Sequence, residues 1–154
     1  MKQFFTRMAI AAGVALALAS PSWAQEAAKI VHDGNVQKSA PVGVTLMVKK
    51  VAVGEDATIV TLVASFDSRE TNSVNLNDQN AYLDLGDGQK LSLRQPEDNR
   101  YLTIKNGESM EGELVFPGRI PAEAKQVTLV INDNNPGNDT VAPGLSLTIP
   151  VAAK

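Results

Sequence analysis

The chain reads as an all-β protein, an antiparallel β-sandwich of about seven to nine strands. Three observations predict it. Apolar residues recur at period two through most of residues 42–151. Gly, Asn, Asp and Pro turn chemistry separates the runs at spacings of roughly ten residues, and no stretch of about that length keeps a helical apolar repeat.

An export signal is expected ahead of the domain. Lys2 and Arg7 lead into the apolar run Met8 to Ala19, Ser20-Pro21 breaks it, and small residues stand one and three places before Gln25, which predicts cleavage after Ala24. The run is short of the roughly twenty residues a bilayer core needs, so no membrane anchor is expected after signal cleavage. The chain has no cysteine, which excludes lipid attachment, disulfides and thiol chemistry. Basic residues number 14 against 17 acidic; without Lys2 and Arg7 the balance is 12 against 17, a net charge of −5. An acidic chain without a basic cluster is poorly suited to nucleic acid or to an anionic membrane.

Residues 25–41 show little apolar periodicity and are expected to be a partly ordered lead-in, leaving 42–154 as the sandwich. Val42, Val44, Leu46 and Val48 alternate, and the phase slips at Lys49-Lys50 before Val51 and Val53, which predicts a bulge. After the turn Gly54 to Asp56, Thr58 to Phe66 has apolar residues on both faces and is expected to be a central strand. Val74 to Leu76 is a short strand. Ala81 to Leu85 and Gln89 to Arg94 flank Gly86-Asp87-Gly88, a hairpin signal. Tyr101 to Lys105 and Met110 to Phe116 flank Asn106-Gly107, and one helical turn is expected at Pro121 to Lys125. Gln126 to Asn132 and Leu145 to Val151 close the domain around the polar loop Asp133 to Gly144.

The segment Asn106-Gly107-Glu108-Ser109-Met110-Glu111-Gly112-Glu113-Leu114-Val115-Phe116, followed by Pro121 and then Val127 to Ile131, resembles a class of exported bacterial immunoglobulin-like domains, mostly of unknown function. In these a "pGes..G.lvF..P" stretch, here the Gly107 to Pro121 region, precedes a closing strand. The resemblance implies an immunoglobulin-like fold and an exported compartment, and it brings no catalytic residues. The lipid-anchoring Cys of many members is absent here, so their membrane attachment does not transfer. Gly107 is expected in a turn at positive φ, and Gly112 where a neighbouring segment comes close.

Candidate sites are few. His32, the only histidine, is misplaced for capture of a metal by the amino terminus and is read as a solvated tail residue. Met47 and Met110 form no cluster with it and are read as core filling. Hard oxygen ligands for calcium are available in two acidic loops, with Asp84 and Asp87 in one and Asp133 and Asp139 in the other, although neither fits an EF-hand loop. Asn and Asp also dominate plain turns. Glu111 and Glu113 share one strand face, more simply a solvent face than a glycosidase pair. The mature chain lacks Trp, and Tyr82 and Tyr101 are expected in the core, which disfavours a sugar platform.

The expected function is therefore that of a periplasmic or secreted, non-catalytic binding or accessory module without a cofactor. Its partner would be an envelope or extracellular protein, met through the loops Asp67 to Ser73, Gln95 to Arg100 and Asp133 to Gly144, or through an edge strand such as Leu145 to Val151. The alternative is a calcium-binding structural or adhesive β-sandwich domain.

Overall fold

The computed structural model describes residues 27–152, so the expected signal, residues 1–24, lies outside the described residues. Among those described, the strands are β1 (Lys29–Ser39), β2 (Val44–Val53), β3 (Ala57–Phe66), β4 (Ser73–Asn75), β5 (Ala81–Gly86), β6 (Gln89–Ser92), β7 (Thr103–Lys105), β8 (Ser109–Pro117), β9 (Gln126–Ile131) and β10 (Leu145–Pro150). One sheet has the order β1-β2-β3-β8, the other β10-β9-β5-β6, and β4 pairs β7 in a small ribbon. Every pairing is antiparallel. The second sheet follows the G-F-C-C′ order of an immunoglobulin-like sandwich, and β2-β3-β8 stands where A, B and E stand.

Alternation builds the core. Leu46, Val48, Val60, Leu62, Phe66, Leu114 and Phe116 from one sheet face Leu83, Leu129, Ile131, Leu147 and Ile149 from the other, all buried. Each such side chain, fully buried, contributes about 1.5–3 kcal/mol. β3 lies between β2 and β8, the central place its two-sided apolar pattern predicts. The bulge is also where the phase slip puts it, between Val48 and Lys50.

The lead-in expectation is corrected over Lys29–Ser39, which is an 11-residue strand pairing β2 from Lys29↔Val53 to Ser39↔Thr45. Its sequence hides this because most of its side chains meet solvent; the backbone ladder fixes it, so no apolar face is needed. With this strand the two packed sheets hold four strands each, within the expected seven to nine, and the β4–β7 ribbon stands apart from them. β1 also covers the edge of β2, and Lys49 of β2 reaches across β3 to Glu111 of β8 at 2.7 Å. His32 is not a solvated tail residue: its Nδ1 lies 2.8 Å from the Pro150 carbonyl and its Nε2 2.8 Å from that of Gly34. Gly112 faces open space rather than a close neighbour, whereas Gly107 takes its expected positive φ of 82°. At Pro121–Ala124 a single turn closes without forming a helix.

Strand direction sorts the connections into two ends. The β5–β6 turn lies at one end; at the other gather the β1–β2 turn, the β3–β5 connection that contains β4, the β7–β8 turn and the β9–β10 loop. We refer to the second as the loop pole.

Candidate functional site

Asparagine side chains stitch the loop pole together. Asn132 ends β9 with its backbone in the left-handed region, φ 46°, and its residue is fully buried. Its Oδ1 accepts from the amides of Asp78 and Gln79 at 2.9 and 3.0 Å, and its Nδ2 donates to the carbonyls of Asn75 and Pro143 at 2.7 and 3.1 Å. A primary amide has two donors and room for two acceptor bonds, so its capacity is full. Asn106, in the β7–β8 turn, clamps Ser68 the same way, accepting from its amide at 2.9 Å and donating to its carbonyl at 2.7 Å. Asn77 donates to the Arg100 carbonyl, Asn135 to that of Ala142, and Asn99 closes on both backbone groups of Thr103. Backbone groups in these loops have no ladder to satisfy them, and the amides supply the partners.

Two of the three expected recognition loops meet here. The turn at Pro41–Gly43 lies between them: Val42 N donates to the Gly137 carbonyl and Asp67 N to that of Gly43. The Gln95 to Arg100 segment approaches from the side, joined through Arg100 to Asn77.

Asn75 N donates to the Val141 carbonyl, and Asn77 N to the Tyr101 carbonyl. Val141 and Tyr101 are therefore both tied through their carbonyls to the segment 75–77. They are 59% and 49% exposed, two of the three large apolar side chains that stand out in solvent among the described residues. The core expectation for Tyr101 is corrected: Leu102 adopts φ 49°, which breaks the alternation, and it is Leu102 that turns inward, 3% exposed. Tyr82 is only partly buried on the outer face of the second sheet, with the Lys90 ammonium 4.3 Å from its ring centroid.

The calcium candidates are not brought together. Asp84 pairs Thr128 and accepts from Gly86 N at 2.9 Å, at the far end of the strand that begins opposite Ile131. Asp87, at φ 51°, forms the tip of that same hairpin, away from the loop pole. Asp133 accepts from the Tyr82 hydroxyl at 2.7 Å, and this bond, followed by burial, pushes the Tyr82 hydroxyl pKa up. Asp139 accepts from Val141 N and Ala142 N, both at 2.8 Å. Among the described residues no three His, Asp or Glu side chains form a group able to hold a metal.

The Asp139 bonds carry a pH prediction. The Ala142 amide first, then that of Val141, holds its carboxyl below the ordinary range. A folded pKa below the unfolded one means the contribution is present above the unfolded value and lost as pH falls through the folded value. The amide resonances of Val141 and Ala142 should therefore move together on acidification, with a midpoint below about 3.9. A midpoint at or above that would contradict the geometry.

No family model matches the chain, and no curated protein matches it. A solved structure is similar in fold: a functionally unknown protein from Listeria monocytogenes EGD-e, at TM-score 0.54 and 11% identity, over 81% of this chain and 85% of that one. At that identity the likeness shows the fold alone.

Proposed function

We propose that this chain is an exported, non-catalytic binding module that recognises an envelope or extracellular protein through its loop pole. The observation that carries the reading is the pair Tyr101 and Val141, exposed apolar side chains held on a cross-linked frame at the end of the sandwich. Apolar side chains kept in water on ordered loops cost free energy unless a partner covers them, and aromatic anchors with a polar rim suit protein partners. The rim here is Asn, Asp, Ser and Thr from three connections. Pre-ordering lowers the entropy lost on association. The signal-like first residues support export, and the single histidine, engaged with two backbone carbonyls, supports a non-catalytic role.

The test is cross-linked capture in the host's envelope with residues 25–154 and with the double variant Tyr101→Ser, Val141→Ser. Both positions are exposed, so the melting temperature should stay within a few degrees. A partner enriched by the parent should fall about tenfold or more with the variant, the loss expected of a central anchor. Equal recovery by both would refute the loop-pole reading.

A further inference from the structure

The second sheet leaves one edge that its own chain only half covers. β10 is outermost and pairs β9 alone, in the register Leu145↔Ile131 to Pro150↔Gln126. In a strand the N–H and C=O of one residue point to the same side, and successive residues alternate. Val151 N donates to the Lys125 carbonyl, continuing the register, so Val151, Ile149, Leu147 and Leu145 face β9. Ser146, Thr148 and Pro150 therefore face outward. The direction agrees with the contact from the opposite side, where His32 Nδ1 lies 2.8 Å from the Pro150 carbonyl.

The lower end of this edge is closed. Proline at 150 removes the outward donor, His32 meets the outward carbonyl, and Ala152 N donates to the Val31 carbonyl of β1 at 2.8 Å. Higher up, β1 leaves β10. Its pairing with β2 slips between Ile30 and His32 and again between Asp33 and Val36, where Gly34 stands at φ 146°, and such bulges bend a strand. The departure opens a cleft of about 350 Å³ between Lys38–Pro41 on one wall and Leu145–Ser146 on the other, reaching Asn134 and Asn135 of the loop pole. Ser146 and Thr148 are exposed, and neither backbone has a partner beyond the sheet among the described residues. Elsewhere, Arg94 N just beyond β6 donates to the Val115 carbonyl of β8, which ties those two edges to each other.

We infer that β10 accepts an extended segment of a protein partner as an added strand, seated in the cleft between β10 and the departing end of β1. The inference rests on the reading of the chain as a protein-binding module and gives it a second contact, continuous with the loop pole. The open edge from Leu145 to Thr148 spans about 13 Å, room for roughly four residues. Ser146 and Thr148 together offer two donors and two acceptors to such a segment. Alternate side chains of the guest would point toward the sandwich interior beside Leu145 and Leu147, which calls for small apolar residues. Lys38 on the opposite wall has no ionic partner among the described residues, so an acidic residue flanking the apolar ones fits it.

The experiment selects linear peptides from a random phage-displayed library on residues 25–154 and follows amide hydrogen exchange of the parent with each selected peptide. The expected result is slowed exchange at Ser146 and Thr148 and a loss of affinity of about tenfold in Ser146→Pro and in Thr148→Pro, each of which removes one outward donor. Because those donors point away from β9, both variants should fold, and the exchange measurement on the parent needs neither of them. Selected peptides that leave both amides unprotected would overturn the inference. So would failure to select any peptide, or protection of the same amides that rises with protein concentration alone, the mark of two copies pairing edge to edge. If the Tyr101 and Val141 substitutions abolish capture while both proline variants retain it and no peptide protects the edge, the loop-pole reading stands and strand addition fails.

Discussion

Replacing Asn132 with alanine should cost the fold about 3–5 kcal/mol. The side chain is fully buried and its amide serves four backbone groups, on Asn75, Asp78, Gln79 and Pro143, in two connections far apart in sequence. Truncation leaves those groups without their partner in a site that is buried or part-buried, where each unsatisfied group costs about 1–3 kcal/mol and partial relaxation and water recover some of the total. The left-handed φ of 46° adds a smaller penalty, since asparagine tolerates that region better than alanine does. Urea unfolding of parent and variant measures the loss directly through the midpoint at constant slope. A change under about 1 kcal/mol would mean that water already serves those groups.

Gly43→Ala should be comparably damaging, at about 3–4 kcal/mol, for a different reason. Gly43 has φ 112°, outside the range that L side chains adopt, and a Cβ there would overlap the Asp67 carbonyl, a backbone atom with no freedom to swing aside. The contact cannot open cheaply because Asp67 N is bonded to the Gly43 carbonyl and Gly43 N to that of Ala40. Gly88→Ala is the control: φ is 76° and a Cβ would meet nothing within 4 Å, so only the backbone penalty of about 1 kcal/mol applies. Equal losses at the two positions would show that the crowding at Gly43 relaxes, and would weaken the description of the loop pole as a rigid frame.

Much of the sandwich is legible in the sequence because a buried face writes itself as alternation. β3, β9 and β10 announce themselves this way, and the extra residue at Lys49 shows as a phase slip. β1 does not, because an edge strand held by its ladder and facing water on most of its length has no reason to alternate. Tyr101 misleads for a local reason, the left-handed turn at Leu102 that reverses which residue faces in. The asparagines of the loop pole are visible as turn formers and as oxygen donors, yet their role as clamps is not. Asn132 answers to residues 53, 54 and 57 positions away, and Asn106 to one 38 away, distances over which no local pattern persists. Of the acidic residues in the β9–β10 loop, Asp139 accepts from two backbone amides and Asp133 from the Tyr82 hydroxyl, uses that composition does not distinguish from metal binding.

Site-specific photo-cross-linking in the host's envelope tests the proposal that the loop pole is where this chain meets a partner. A photoreactive amino acid would replace Val141 in one variant, Tyr101 in a second, and Asp87 at the opposite end in a third. Positions 141 and 101 should cross-link to one and the same protein, and position 87 should not. Cross-linking to that protein from position 87 alone, or equally from all three, would contradict it.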